Sequence, residues 1–232
     1  MASLLDEIMR RNEEKEPLLN LYTGEAIKES YYFEIDKANA PEFFKKHFSN
    51  ELAECTDKKK KIIERLMKPQ ANTRCSYFRT DSSSTATYDK IFTDYISLDF
   101  KAYAFWFDDH KAKLCFDEAY TNAVLHGNKA GEDSCYGDKC NLPRPANLEE
   151  NRKKPVEIEF IINHNYYALR VTDVGEGLDR SKVQLGKDGN IMASSGRGLF
   201  LIESLTDCMV FTKQADPQKF SISMVKFKEI KY

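Results

Sequence analysis

Residues 114–128 read LCFDEAYTNAVLHGN, and how this stretch folds decides the rest of the chain. The spacing predicts a helix, on which Glu118, Asn122 and His126 fall at intervals of four and line one face. Ala119 and Ala123 share another face with Cys115 and Phe116, small enough there for the helix to lie close to a sheet. A carboxylate, an amide and an imidazole in a row have a definite chemistry. The carboxylate can accept a proton from an attacking hydroxyl, the amide oxygen is a hard ligand for Mg²⁺, and the imidazole can donate to phosphate. A solvated polar face is the plain alternative, and the segment alone does not separate the two.

The composition narrows the field. At 232 residues the chain suits one large domain, or one domain with an extension, and its 41% hydrophobic content supports a sizeable core. A net charge of −2 argues against nucleic acid or an anionic membrane as the main partner. No apolar run approaches the roughly 20 residues of a membrane span. The opening MASLLDEIMRRNEEKE carries acids where a secretory signal needs an apolar core, so a cytoplasmic location is expected. Six scattered cysteines then read as free thiols. Cys135 and Cys140 lack a second pair or a nearby histidine, which argues against zinc.

Upstream of the central stretch, Leu4, Leu5, Ile8 and Met9 make an apolar stripe on a short helix over 2–11. Tyr31, Phe33 and Ile35 alternate as a strand does. Helical pieces follow, one from Pro41 with Phe44, Phe48 and Leu52, and one with Ile62, Ile63 and Leu66. The Lys58–Lys61 run between them reads as a solvated face in so neutral a chain. CSYFRT (75–80) is a short strand between loop-forming stretches, and Tyr88–Phe100 is helical through Ile91, Tyr95 and Leu98. AYAFWF is a buried aromatic connector into the central helix, which Gly127 ends.

Downstream, the polar stretch 129–154 is a surface loop. Val156, Ile158 and Phe160 alternate up to a turn at Asn163-His164-Asn165, and Tyr167, Leu169 and Val171 alternate after it, a hairpin. Continuing the period of two puts Asp173 on the core-facing side with Leu169 and Val171. A carboxylate there is costly unless something donates to it, and the exocyclic amine of a purine would do so. Gly175 and Gly177 follow at once, where backbone can come close to a planar ligand. Farther on, Ser195-Gly196-Arg197-Gly198 precedes a helical apolar pattern of Leu199, Leu201, Ile202 and Leu205. Glycines at a helix start suit phosphate, and Arg197 adds charge. The intervening LDRSKVQLGKDGNIMAS is fit for a mobile lid. Strands near Cys208–Thr212 and Phe220–Phe227 close the chain around a turn at 215–218.

Taken in order, ExxxN on a helix, a hairpin, DxGxG, a short lid and GxGL resemble the GHKL ATPase superfamily. More narrowly, EAYTNAVLHGN with so short a lid is similar to the serine/threonine-protein kinases that act as bacterial anti-sigma factors. The resemblance covers about Cys75 to Phe227, with its specific motifs in 114–128, 172–178 and 195–202. It implies an α/β two-layer sandwich, a mixed and mostly antiparallel sheet with helices on one face (the Bergerat-type ATP-binding fold). Residues 73–232 would form that domain, and residues 1–72 a mainly helical N-terminal extension. In a rival register Tyr31–Ile35 is the first strand and 38–87 an insertion. The compact connection from CSYFRT to the central helix favours the first arrangement.

Residue by residue, the resemblance implies Glu118 as general base and Asn122 as Mg²⁺ ligand. Asp173 would bind the adenine amine, Gly175 and Gly177 would shape that wall, and Gly196 and Gly198 would hold the phosphate loop. His126 and Arg197 would stand near the phosphates. The implied cofactors are ATP and Mg²⁺. The implied partners are an anti-anti-sigma antagonist protein, phosphorylated on serine or threonine, and a sequestered sigma factor or similar regulator, with the kinase itself a homodimer. The extension and the 129–154 loop depart from the family pattern and bear on the partner, not on nucleotide binding. Two other readings stand beside this one. A nucleotide-gated binding module would use the same cleft without transfer. A histidine-kinase-like ATPase domain would need an acceptor histidine upstream, and His47 and His110 lie in unsuitable contexts.

Overall fold

A computed structural model of the chain describes residues 17–19, 26–35, 73–83, 85–103, 105, 109–131, 144–177, 197–215 and 218–228. The short N-terminal helix, the helical pieces after Pro41, Cys135 and Cys140, Trp106 and the lid with Gly196 lie outside the described residues.

The alternating segments form one seven-stranded sheet. Its strands are β1 (Pro17–Leu19), β2 (Ala26–Ile35), β3 (Thr73–Asp81), β4 (Pro155–Ile162), β5 (Tyr166–Asp173), β6 (Cys208–Ala215) and β7 (Gln218–Phe227). They run in the order β1-β2-β3-β4-β5-β7-β6. Every described pair is antiparallel, so the expected mixed sheet is here wholly antiparallel. The β4–β5 hairpin closes as its sequence foretold. The Asn163 side chain accepts from the backbone N–H groups of Asn165 and Tyr166, so the turn is held by its own amide.

β2 pairs with β3 from Ser30–Phe78 to Ile35–Thr73. The boundary drawn at residue 72 thus separates two strands that hydrogen-bond to each other. Both Tyr31–Ile35 and CSYFRT are in the sheet, side by side.

Helices α1 (Thr85–Ile91), α2 (Ser97–Ala102), α3 (Asp109–Asn122) and α5 (Arg197–Leu205) pack on one face of the sheet, and a short α4 (Leu148–Arg152) precedes β4. A π-helical turn, Phe92–Ile96, joins α1 to α2, so the predicted helix over 88–100 is continuous but widened at its middle. The core between the layers is aromatic. Phe100 is fully buried and touches Phe92, Phe105, Phe160 and Tyr167 with ring centroids 4.7–6.4 Å apart. Of the aromatic connector, Phe105 is buried in this core and Tyr103 packs against it, while Ala104, Trp106 and Phe107 lie outside the described residues. Arg74 of β3 meets the buried Asp99 of α2 at 2.7 Å, and burial still pushes that carboxyl up to about 6 despite the guanidinium. Among the described residues no helix is long and apolar enough to cross a membrane.

Replacing Phe100 with Ala removes the ring that joins both layers. Urea unfolding should show a loss of roughly 3–5 kcal/mol.

Candidate functional site

The central helix is not uniform. α3 ends at Asn122, and Ala123–Gly127 forms a second π turn, closed by the Asn128 N–H on the Ala123 carbonyl at 2.7 Å. The wider turn takes His126 out of the four-residue phase that Glu118 and Asn122 share. His126 is exposed, and partial desolvation holds its pKa below the usual 6.5.

Beyond the turn, Asn128 is fully buried and ties three strands together. Its amide donates to Ser82 Oγ at 2.8 Å and to the Pro155 carbonyl at 3.0 Å, and its oxygen accepts from the Val174 N–H at 3.1 Å. The end of the helix is thus fixed to the ends of β3, β4 and β5. Sequence reading passed over Asn128 as the end of a motif. Asparagine just past a helix that stops at glycine was the available signal.

Asp173 sits at the end of β5, buried at 4% exposure, on the core side with Leu169 and Val171 as the alternation required. Its carboxylate accepts from the Gly175 N–H at 2.7 Å and is pushed up to about 6 by burial, which outweighs that bond. The backbone of Gly127 lies directly against this carboxylate, and a Cβ there would overlap it. A Cβ on Gly175 would in turn strike the Gly127 backbone. Gly177 turns the chain with φ +87° beside Phe220. The protein itself therefore demands glycine at these positions, a reason the sequence did not disclose.

On the other side of α3, α5 approaches so closely that a Cβ on Gly198 would collide with Glu118 Oε2. Glu118 is half-buried, and its pKa is raised above the usual 4.5, first by desolvation and then by Asp117. Glu118 thus lies beside the first turn of α5, whose free N–H groups favour anions. Asn122, one turn along, has its Nδ2 enclosed with no hydrogen-bond partner.

Three segments remote in sequence meet here: α3, the end of β5 and the start of α5. Residues 97–226 match the histidine kinase-like ATPase domain family. This chain belongs to that family. Similar curated proteins include the serine-protein kinase RsbW of Staphylococcus aureus strain bovine RF122 / ET3-1. It is 31% identical over 134 residues, which make up 55% of this chain and 70% of that protein. RsbW of strains MRSA252 and JH9 matches to the same extent.

As a member of the ATPase-domain family, the chain has residues that suit the expected groups. A raised, nearly dry carboxylate with one donor has acceptor capacity left for an amine, and the enclosed Asn122 Nδ2 is a donor with capacity for an acceptor such as a phosphate oxygen, whereas a metal ion would need the amide oxygen. Of the residues singled out from sequence, Glu118 and Gly198 meet between α3 and α5, Asp173 and Gly175 meet Gly127 of the π turn, and Asn122 ends α3 between the two. Arg197 opens α5, with its side chain outside the described residues, as is Gly196.

Two outcomes follow. Asn128→Ala leaves the Val174 N–H and the Pro155 carbonyl without their partner, and should cost about 3 kcal/mol in denaturant unfolding. Asp173 has a folded pKa above its unfolded one, so its charge lowers stability as pH rises through about 6. Asp173→Asn should therefore raise the melting temperature of the nucleotide-free chain at pH 7.5, the gain vanishing as pH falls below the ordinary carboxylate value.

Proposed function

We propose that this chain is an ATP- and Mg²⁺-dependent serine/threonine-protein kinase of the anti-sigma factor type. The observation that carries the reading is the placement of Glu118, a carboxylate of raised pKa, against Gly198 at the start of α5. A proton acceptor and a set of free backbone N–H groups stand together, as transfer of a phosphoryl group to a hydroxyl requires. The similarity to RsbW, a serine-protein kinase by name, supports the same chemistry.

In this reading Asp173 accepts a hydrogen bond from the adenine amine and fixes the base end of ATP. The α5 N–H groups, Gly196 and Arg197 hold the phosphates. His126 stands near them as a further donor. Asn122 would hold Mg²⁺ together with phosphate oxygens and water, and the ion would offset the charge that develops on the transferred group. Glu118 orients the serine or threonine hydroxyl of a partner protein and takes its proton as the oxygen attacks the γ-phosphorus, while the bond from that phosphorus to the β–γ bridging oxygen breaks and ADP leaves. The partner is an antagonist protein of the anti-anti-sigma kind, and a sigma factor or similar regulator is the second protein bound. Residues 73–232 form the nucleotide-binding unit and residues 1–72 an addition to it, acting in the cytoplasm.

Glu118→Gln should abolish phosphoserine formation on the antagonist while ATP affinity changes little, measured with labelled ATP and by calorimetry. A mutant that still phosphorylates at the wild-type rate removes Glu118 as the base. In the wild-type chain, the acid limb of kcat should lie above the ordinary glutamate value of 4.5, because activity needs the ionised form and burial disfavours it. Asp173→Asn should weaken ATP binding itself, and an unchanged affinity would remove the adenine contact.

A further inference from the structure

Asn128 does more than close the helix. Its amide offers two N–H groups and one oxygen, and each is engaged by a partner from a different part of the chain. The N–H groups go to Ser82 Oγ at 2.8 Å and to the Pro155 carbonyl at 3.0 Å, and the oxygen takes the Val174 N–H at 3.1 Å. Ser82 is oriented in its turn, since its hydroxyl donates to the Lys154 carbonyl at 2.8 Å. Turning the amide over would set donor against donor at Val174 and oxygen against oxygen at Pro155. The residue is 0% exposed, so water does not relieve either clash. One orientation is therefore fixed.

That orientation governs the turn that carries Asp173. Val174 and Gly175 present successive N–H groups. Asn128 takes the first, and the Asp173 carboxylate takes the second at 2.7 Å. The bond at Val174 keeps the neighbouring donor from the carboxylate, whose other acceptor positions stay open. On the helix side, Asn128 directly follows Gly127, and the Gly127 backbone lies against both the Asp173 carboxylate and Gly175. The amide thus fixes the carboxylate from two directions, through Val174 at the end of β5 and through Gly127 at the end of the helix. Hydrogen bonds weaken steeply as their angle closes, so this placement decides whether a ligand's N–H group is met.

We propose that Asn128 is a positioning residue for nucleotide selection, holding the Asp173 carboxylate where it meets the exocyclic amine of adenine. This rests on the reading of Asp173 as the adenine contact. Asn128 itself does not touch the nucleotide. Preference for the base depends on it, and affinity for the triphosphate does not.

The test compares ATP with the triphosphate of purine riboside, which lacks that amine, by calorimetry on the full folded chain. The unaltered chain should bind ATP at least about tenfold more tightly than the analogue. Asp173→Asn should remove that preference. Asn128→Ala should bring it to within about twofold of unity, while affinity for the analogue changes by less than about threefold. Asn128→Ala combined with Asp173→Asn should lower the preference no further than Asp173→Asn alone, because both act through one carboxylate. A purely structural role would weaken both nucleotides alike and leave their ratio unmoved. Ser82→Ala takes one acceptor from the Asn128 amide and serves where Asn128→Ala does not fold; it should cut the preference by about threefold. A full preference kept in folded Asn128→Ala or Ser82→Ala overturns the proposal and leaves the adenine contact standing. No preference in the unaltered chain, or one that Asp173→Asn leaves intact, overturns both.

Discussion

A carboxylate held in a nearly dry place is the constraint from which the geometry of this site follows. Asp173 ends a strand on its core side, where ionisation is opposed by burial and supported by one backbone N–H. Such a group persists in a fold only if its surroundings are fixed. Here they are fixed by two glycine backbones in contact, Gly127 and Gly175, and by the buried Asn128 amide that binds the helix end to three strands. Polar groups are matched around this carboxylate, and Asp173 keeps acceptor capacity beyond its one donor.

The other half of the site depends on helix packing. Phe100 of α2 meets Phe160 of β4 and Tyr167 of β5 and so holds the helical layer to the sheet. α5 then lies against α3 with glycine at the closest point, and Glu118 is carried to the start of α5. Burial of Glu118 raises its pKa, and the charge of Asp117 adds to the shift. The histidine kinase-like ATPase domain family, matched over 97–226, is the setting in which these two junctions belong together.

Much of this was legible without coordinates. The β4–β5 hairpin, β6 and β7 and the inward side of Asp173 follow from alternation, because a strand's side chains repeat with period two wherever one face must be dry. Glu118 and Asn122 follow from helical spacing. His126 is taken out of that phase by the π turn over Ala123–Gly127, which leaves no periodic mark in the sequence. Asn128 was overlooked for a similar reason: its three partners come from residues 82, 155 and 174. Tyr31–Ile35 is legible as a strand from its alternation, but its pairing with β3 is not, since nothing local shows which strand an edge will recruit.

Periodicity and residue chemistry are local properties, so most elements, their order and the types of functional group can be read from the chain alone. How those groups behave is a matter of the folded molecule. The pKa of Asp173 and of Glu118, and the demand for glycine at 127 and 175, all depend on atoms far apart in the chain. Desolvation and steric exclusion act through space, and a linear pattern holds no record of them until the chain has folded.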